Sequence, residues 1–519
     1  MTPSSVTRTP VTRTTIPELL REAADRHGDH PAYVEGETSL SYAELLTRVE
    51  ATAATYVGWG LEPGDRVGIW APNGIDWAVA ALAVTYVGGV LVPLNSRYTA
   101  HEVAEVLDRT RAPLILVADG FLGRSQIDDL TGVGTTARVV DLARLAEHPG
   151  EASDLSLART RAEAVAPDDV ADILFTSGTT GRSKGAMSAH RQTIGVASAW
   201  AELGGVRADD RYLVVNPFFH SFGYKIGIVV GLLTGATLYP VATFDLDATM
   251  RLIQDEQLTV LPGAPTIYQS MLSAPNRGDY DLSSLRLAVT GAAVVPVVLI
   301  ERMREPAPAG LGIDQVVTAF GMTEAVVVTM CRDADSAETV ATTCGRAIPG
   351  METRIASPAD DSGDGSGELL VRGDHVMLGY LDDAEATAEA IDADGWLHTG
   401  DIGVLDEHGN LRITDRLKDM YISGGFNVYP AEVEQALLRM DGVADVAIVG
   451  VPDERMGEVG KAYVVPADAG APVEPEAVIA FARERLANFK APRHVELIDV
   501  LPRNLSGKVL KNQLREATP

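Results

Sequence analysis

Residues 173–185 read ILFTSGTTGRSKG, an apolar segment followed directly by a loop of glycines and hydroxyl residues with one lysine. The glycines let the backbone fold tightly around an anion and turn its amide groups toward it. The hydroxyl side chains add hydrogen-bond donors, and Lys184 adds a positive charge. This stretch therefore predicts a phosphate loop at the end of a buried strand. The residues predicted to hold phosphates are Thr176, Ser177, Gly178, Thr179, Thr180, Gly181 and Lys184.

The spacing within this loop excludes the phosphate loop of the kinase type. That loop has four residues between its two glycines and a Ser or Thr directly after the lysine. Here Gly178 and Gly181 are three residues apart, and Gly185 follows Lys184. A plain surface turn is the alternative, but it does not account for so many donors behind an apolar strand. The loop predicts phosphate binding of another kind.

Apolar segments alternate with helical patterns before residue 320, as is typical of parallel sheets with helical crossovers. In such sheets, ligands bind at the carboxyl ends of the strands. Asn73 precedes an apolar helix and is expected to cap its first turn. The predicted strands cover residues 65–71, 90–94, 113–118, 170–175, 212–215, 258–261, 285–290 and 315–318.

Two domains are predicted from the length of the chain and from a change of pattern. A chain of 519 residues is too long for one compact core. After residue 415 the pattern changes to short strands and helices, such as 443–449 and 473–486. We therefore predict an α/β protein with a large N-terminal domain of parallel-type sheets and helices and a small α+β C-terminal domain. Residues 1–15 lack the apolar core of a secretory signal and are expected to form a flexible tail.

The chain is strongly acidic, with 43 basic and 72 acidic residues and a formal net charge of −29. Such a surface repels nucleic acid and anionic membranes, so neither is an expected partner. The apolar stretch 226–241 contains glycines and is too short for membrane insertion. Cys331 and Cys344 are expected to be reduced thiols in a cytoplasmic protein.

Further motifs follow the phosphate loop in a fixed order. They are TGAA at 290–293, AFGMTE at 319–324, WLHTGD at 396–401, DRLKD at 415–419, SGGFNVYP at 423–430 and PRNLSGK at 502–508. In this order, and together with the loop, they resemble the motifs of the acyl-adenylate-forming superfamily. That superfamily includes acyl-CoA synthetases, firefly luciferases and the adenylation domains of nonribosomal peptide synthetases. The resemblance spans almost the whole chain.

The resemblance implies an ATP site. In it Phe320 would stack on adenine, with Phe replacing the usual Tyr, and Asp401 and Arg416 would contact the ribose. Thr323 would touch the α-phosphate, and Glu324 would hold Mg²⁺. The residues implied for adenine and ribose are Gly291, Ala292, Ala293, Phe320, Gly321, Asp401 and Arg416.

The resemblance also implies two half-reactions. ATP and a carboxylic acid form an acyl-adenylate, and coenzyme A then takes the acyl group. Lys508 would catalyse the first step, and Lys418 would be the pivot on which the C-terminal domain turns. The implied division of the chain is a domain at 16–415, a hinge at 416–418 and a mobile lid at 419–519. Gly424, Gly425 and Phe426 would contact CoA, although Phe426 stands where Glu is commoner.

The acid is expected to bind at the acyl block, residues 216–225, which read NPFFHSFGYK. His220 matches the family's histidine beside the carboxylate, and Tyr224 and Lys225 are the other candidate contacts. Lys225 is expected to reach solvent. If it instead lines the pocket, it would suit an acid that carries a distant keto group.

Shared stretches such as DILF at 172–175 and FGYK at 222–225 make the chain most similar to actinobacterial ligases of steroid degradation. Those ligases activate the propanoate side chain of an indanedione, the two-ring remnant left after ring opening. One alternative is a synthetase for medium-chain fatty or cyclic and aromatic acids. Another, of a different class, is a stand-alone adenylation enzyme that loads a carrier protein. A homodimer is left open.

Overall fold

The computed structural model describes residues 15–516, except 177–182, 292–294, 357–364, 417–418, 420, 424–425, 429, 454–455, 469, 471, 487, 489 and 504–508. The helices are α1 (Ile16–His27), α2 (Tyr42–Gly58), α3 (Ile75–Tyr86), α4 (Ala100–Thr110), α5 (Gln126–Val133), α6 (Ala152–Ala164), α7 (His190–Gly204), α8 (Val230–Thr234), α9 (Leu246–Glu256), α10 (Pro265–Ser273), α11 (Val297–Arg304), α12 (Ala337–Thr342), α13 (Ala384–Ala390), α14 (Pro430–Leu437), α15 (Pro475–Arg485) and α16 (Lys511–Glu516). The strands are β1 (Pro31–Glu35), β2 (Thr38–Ser41), β3 (Arg66–Trp70), β4 (Val90–Leu94), β5 (Leu114–Val117), β6 (Arg138–Asp141), β7 (Val170–Phe175), β8 (Gly185–Ala189), β9 (Arg211–Val214), β10 (Thr237–Pro240), β11 (Val260–Pro262), β12 (Leu287–Gly291), β13 (Gln315–Phe320), β14 (Thr329–Met330), β15 (Arg346–Ala347), β16 (Met351–Ile355), β17 (Gly367–Gly373), β18 (Gly379–Tyr380), β19 (Leu397–Leu405), β20 (Leu411–Arg416), β21 (Tyr421–Ser423), β22 (Phe426–Val428), β23 (Val443–Asp453), β24 (Gly457–Pro466) and β25 (His494–Leu497). Short 3₁₀ turns cover Phe121–Gly123, Leu142–Glu147 and Arg277–Asp279, and a π-helical turn covers Phe222–Val229.

Two large sheets carry the predicted strands. A seven-stranded sheet has the order β18-β8-β7-β4-β3-β5-β6, and a nine-stranded sheet has the order β15-β14-β13-β12-β11-β9-β10-β1-β2. Their central strands run parallel, with antiparallel strands only toward the edges. Each predicted strand before residue 320 is present, with its ends displaced by at most about two residues. The predicted α/β fold is confirmed.

Two smaller sheets also lie among the described residues. The sequence patterns do not predict the antiparallel sheet β16-β17-β19-β20, which ends at Arg416. A five-stranded sheet contains β22-β21-β24-β23 with β25 beside β24, and helices α14 to α16 lie in the same part of the chain. The predicted small α+β unit is therefore present. The boundaries at 16–415, 416–418 and 419–519 stay a prediction.

The start of α3 corrects one prediction. Every residue of α3 except Asp76 is buried, as expected for a helix that is apolar on all sides. Gly74, rather than Asn73, occupies the cap position, and the N–H of Ile75 donates to Glu35 Oε2 at 2.8 Å. Asn73 does not cap the helix because its side chain instead forms hydrogen bonds with a turn that is distant in sequence, as described below.

Two further predictions concern membrane insertion and cysteine chemistry. Within the described ranges, no helix is both long and apolar enough to cross a membrane. Cys331 and Cys344 are free thiols, as predicted.

His190 attaches the first helix to the rest of the large unit. It begins α7, is only 1% exposed, and accepts a hydrogen bond at Nδ1 from the N–H of Ile16 at 3.2 Å. Burial lowers the pKa of His190 from its ordinary 6.5 to about 4. The imidazole is therefore neutral in the folded protein at neutral pH.

We predict that this histidine makes the folded state less stable in acid. The unfolded chain binds a proton at His190 before the folded chain does, so the free energy of unfolding falls as pH drops from 6.5 toward 4. The full loss is roughly 3 kcal/mol. His190→Asn, which keeps an acceptor that does not titrate, should lose this part of the pH dependence. All five tryptophans precede residue 415, so fluorescence during denaturant unfolding reports on this unit. The prediction would be contradicted if the free energies of unfolding of wild type and variant differed by the same amount at about pH 7.5 and at about pH 5.

Candidate active site

The two segments implied for adenine lie side by side. Strands β12 and β13 are parallel neighbours, with Gly291 opposite Ala319, and Phe320 ends β13. A Cβ on Gly291 would lie 2.6 Å from the carbonyl oxygen of Ala319, and one on Gly321 would lie 1.7 Å from that of Val326. Neither position can carry a side chain without moving backbone. Both motifs thus meet at the carboxyl edge of the nine-stranded sheet, where ligands bind in such folds.

The two residues implied for the ribose are also neighbours. Asp401 in β19 lies directly opposite Arg416 in the antiparallel strand β20. Asp401 is only 3% exposed, and its N–H donates to Thr399 Oγ1 at 3.1 Å. The register of the four-stranded sheet therefore brings together two motifs that are separate in sequence.

The phosphate loop is closed at its base by Thr176 and Lys184. The N–H of Thr176 donates to the carbonyl oxygen of Lys184 at 2.9 Å, and the N–H of Lys184 donates to Thr176 Oγ1 at 3.3 Å. β7 and β8, the strands on either side of the loop, are antiparallel partners. The two ends of the loop thus form a closed stem at the end of β7.

Tyr380 connects Lys184 with Glu324 and was missed by the sequence analysis. Lys184 Nζ lies 4.9 Å from the centre of the Tyr380 ring, and the Tyr380 hydroxyl donates to Glu324 Oε1 at 2.8 Å. Tyr380 lies in β18, which pairs with β8 directly after the loop. Burial, and then the Glu324 carboxylate, raise the pKa of Tyr380 above its ordinary value, so the hydroxyl stays a donor. Only the dipeptide Gly379-Tyr380 itself could have indicated this role in the sequence, and neither Lys184 nor Glu324 lies near it along the chain.

Glu324 fits a magnesium ion that is shared with phosphate. It is 9% exposed, and Thr323 beside it is half-buried. Among the residues that the structure describes, no group of three or more His, Cys, Asp or Glu could hold a metal alone. Mg²⁺ is commonly bound by one or two carboxylates together with substrate phosphates. A single carboxylate joined through Tyr380 to the phosphate-loop lysine matches that arrangement.

His220 is held as a neutral donor. Its side chain is open to water, yet the surrounding protein desolvates it enough to lower its pKa from the ordinary value. Nδ1 accepts a hydrogen bond from the N–H of Phe222 at 3.1 Å. With Nδ1 occupied as an acceptor, the neutral ring carries its proton on Nε2. That N–H can donate to an oxygen of a bound acid.

Asn73 holds the turn that precedes His220. Its side-chain amide donates to the carbonyl oxygens of Val214 at 3.2 Å and Asn216 at 3.0 Å. Its Oδ1 accepts from the N–H of Phe218 at 2.6 Å. Because these bonds all go to residues 214–218, Asn73 fixes the backbone that leads to His220.

The expectation that Lys225 reaches solvent is wrong. Lys225 is 1% exposed, and its Nζ lies 2.9 Å from Asp172 Oδ1 and 2.8 Å from Ser188 Oγ. A charge this deeply buried is stable only when it is paired. Tyr224 is also 1% exposed, and its hydroxyl lacks a hydrogen-bond partner within the described part of the chain. Contact of either side chain with the acid stays a prediction.

Several predicted site residues lie outside the described residues. Phe426 is part of β22, but its side chain is not described, and the same holds for the side chain of Arg416 in β20. The assigned roles of these residues stay predictions. Those outside the described residues are Ser177, Gly178, Thr179, Thr180, Gly181, Ala292, Ala293, Lys418, Gly424, Gly425 and Lys508.

Arg109 contacts both ends of the phosphate loop and belongs to none of the sequence motifs. It lies on α4, with its guanidinium carbon 5.0 Å from the centre of the Phe175 ring. Its Nη1 donates to the carbonyl oxygen of Ser183 at 2.6 Å. The side chain is 17% exposed. Arg109 thus contacts both Phe175, which precedes the loop stem, and Ser183, which precedes Lys184.

Comparison with known proteins defines the class. Residues 20–381 match the AMP-binding enzyme family, and residues 432–508 match the AMP-binding enzyme C-terminal domain. The chain therefore belongs to the AMP-binding enzyme family, and the predicted superfamily is confirmed.

The relatives within that family are more specific. The chain is 55% identical over 520 residues to 3-[(3aS,4S,7aS)-7a-methyl-1,5-dioxo-octahydro-1H-inden-4-yl]propanoyl:CoA ligase of Rhodococcus jostii, covering 97% of this chain and 98% of the relative. It is also 55% identical to the ligase of the same name from Mycobacterium tuberculosis, with the same coverage. Among solved structures it is similar to ATP-bound MatB from Rhodopseudomonas palustris, with a TM-score of 0.82 and 32% identity over 97% of this chain and 99% of that one. It is also similar to Bacillus subtilis o-succinylbenzoate CoA synthetase with its acyl-adenylate, with a TM-score of 0.83 and 27% identity over 98% and 99%.

We predict that Arg109→Ala raises the KM for ATP by about tenfold to a hundredfold, as expected for the loss of a hydrogen bond from a charged group. Arg109→Lys should recover only part of the loss, because lysine lacks the flat fork that stacks and donates together. ATP–pyrophosphate exchange at saturating acid measures the effect.

The matched control is Arg111→Ala on the same helix end. Arg111 is 72% exposed and pairs at the surface with Asp382 at 3.1 Å. Its removal should change the KM for ATP by less than about twofold, as is usual for an exposed pair. Equal effects of the two alanine substitutions would refute the role of Arg109.

Proposed function

We propose that this chain is an ATP-dependent ligase that joins coenzyme A to the propanoate side chain of a bicyclic dioxo acid formed in steroid degradation. The enzyme class is an AMP-forming acid–CoA ligase that uses ATP, Mg²⁺ and coenzyme A. The observation that carries the choice of acid is the 55% identity, over 97% of the chain, to two ligases named for that acid. This coverage includes the acyl block as well as the ATP motifs.

The reaction has two steps because a carboxylate oxygen is a poor leaving group. An oxygen of the acid first attacks the α-phosphorus of ATP, and the bond to pyrophosphate breaks. The deprotonated thiol of coenzyme A then attacks the carbonyl carbon of the acyl-adenylate, and AMP leaves. Both steps depend on holding anions together and on stabilising the charge that develops.

The described residues supply local positive charge and donors for the first step. Lys184 lies at the closed end of the phosphate loop, and the hydrogen bond from Tyr380 orients Glu324. When bound by Glu324 and phosphate oxygens, Mg²⁺ supplies charge that neutralises the polyphosphate. In the proposed mechanism Lys508 bridges the carboxylate and the α-phosphate.

His220 suits the acid because it attracts a carboxylate without carrying a titrating charge. Its Nδ1 is occupied by the N–H of Phe222. The proton on Nε2 would then donate to a carboxylate oxygen and hold it toward the α-phosphate. The three bonds of Asn73 to the preceding turn keep this ring in place.

We predict that the wild-type enzyme prefers the bicyclic dioxo propanoate over simpler acids. CoA-dependent AMP release would be measured with that acid, octanoate, a long-chain fatty acid and a benzoate, and each thioester would be identified by mass. We expect kcat/KM for the bicyclic acid to exceed the others by roughly a hundredfold, the discrimination that a pocket achieves by size and shape. Preference for octanoate or benzoate would reassign the acid. Pyrophosphate release without any thioester would favour the loading of a carrier protein.

We predict that Lys508→Ala abolishes adenylation and retains thioester formation from supplied acyl-adenylate. The lysine is assigned to the step in which two separate anions approach, and that step is already complete in the adenylate. A loss of roughly a thousandfold or more is expected in ATP–pyrophosphate exchange. The supplied adenylate is the internal control for folding. Equal loss of both half-reactions would remove Lys508 from its assigned role.

A further inference from the structure

The acyl block is attached to the seven-stranded sheet at two points. Asn73, which follows β3, binds the turn at 214–218. Asp172, in β7, binds Lys225 at the other end of the block. His220 lies between the two attachments in sequence. The segment expected to hold the acid is thus fixed on the sheet that carries the phosphate loop.

The second attachment is a fully buried ion pair. Lys225 is 1% exposed and Asp172 is 0% exposed, with 2.9 Å between Nζ and Oδ1. Asp172 Oδ2 also accepts from Thr193 Oγ1 at 2.9 Å. Ser188, the cross-strand partner of Asp172 in β8, lies 2.8 Å from Lys225 Nζ. Strands β7 and β8 therefore contact this lysine directly, and α7 holds the carboxylate of Asp172 through Thr193.

The backbone around Lys225 transmits this fixation to His220. Lys225 lies in the π-helical turn Phe222–Val229, a rare form that often marks functional sites. A Cβ on Gly223 would lie 2.0 Å from the carbonyl oxygen of Pro217, so the π-helical turn rests directly on the preceding turn. His220 lies between these two packed turns, and its backbone N–H donates to the same carbonyl oxygen of Pro217 at 3.0 Å.

Asp172 also lies near the phosphate loop along the chain. It is three positions before Phe175, the last residue of β7, and Thr176 then closes the phosphate loop with Lys184. A regular strand holds these residues in a fixed relation. One buried contact therefore relates the turn around His220 to the base of the phosphate loop.

Stability alone does not explain this pair. Burying two charges is costly, and apolar residues of similar size are often at least as stabilising. We propose that Asp172 and Lys225 are positioning residues for adenylation, which align the acid held at His220 with the ATP held at the phosphate loop. This inference rests on the proposed ligase reaction.

The two half-reactions should differ in their need for this alignment. Adenylation joins two separate molecules, and a displacement of about 1 Å in such a step can cost a hundredfold in rate. Thioester formation starts from an acid and AMP that are already covalently joined. Loss of the pair should therefore slow adenylation selectively.

The test uses the neutral double variant, Asp172→Asn/Lys225→Met, in the full chain. The amide introduced at position 172 can still accept a hydrogen bond from Thr193, and no unpaired charge is buried. The melting temperature should therefore lie above that of Lys225→Met alone. We expect kcat for ATP–pyrophosphate exchange to fall by about a hundredfold, and thioester formation from supplied acyl-adenylate to stay within about threefold. Ser188→Ala is a milder change and should also slow adenylation selectively, by a smaller factor. This variant tests the proposal independently of whether the double variant folds.

The control is a second double variant, Asp210→Asn/Arg286→Met. Asp210 and Arg286 form an ion pair at the amino ends of β9 and β12, away from the predicted ligand edge. This variant should lose stability without selective loss of adenylation. If the neutral double variant regained both the melting temperature and the adenylation rate that Lys225→Met alone loses, the proposal would be overturned. Equal loss of both half-reactions would overturn it as well. Failure of the wild-type enzyme to form any acyl-CoA would overturn the proposed function instead.

Discussion

Two anions must be held side by side by a chain whose formal net charge is −29. The arrangement of the site follows from this constraint. The described part of the candidate site offers few charges: Lys184 lies against the face of Tyr380, and His220 stays neutral while keeping a donor. Backbone amides and fixed dipoles add attraction without adding net charge. Because the long-range field of the protein is unfavourable for both substrates, short-range geometry must supply the binding.

The fold meets this need by bringing strand ends together. Gly291 and Ala319 are paired at neighbouring strand ends, and Thr176 and Lys184 close the loop at the end of β7. The adenine and phosphate segments thus belong to two different sheets. Buried polar contacts made by Asn73 and Asp172 join the acyl block to the seven-stranded sheet, and such contacts resist sliding in a way that apolar packing alone does not.

Features with a local cause could be predicted from the sequence. The strands and the phosphate loop are specified by short apolar runs and by glycine spacing, and the strands occur where expected. Features with a distant cause could not. Asn73 looks like a helix cap, yet its partner Val214 is 141 residues away. Lys225 looks like a surface charge, and only the fold shows that Asp172 lies beside it. Tyr380 and Arg109 have partners that are likewise remote in sequence. The register of β19 with β20, which pairs Asp401 with Arg416, also appears only in the folded chain.

The short strand β18 has a consequence beyond orienting Glu324. It lies at the outer edge of the seven-stranded sheet, next to β8. Without it, β8 would offer a free row of amide and carbonyl groups to any extended peptide, the usual starting point for aggregation. A strand of only two residues, Gly379 and Tyr380, leaves too little edge of its own to recruit another chain. The strand that carries Tyr380 thus also covers part of the open edge of β8.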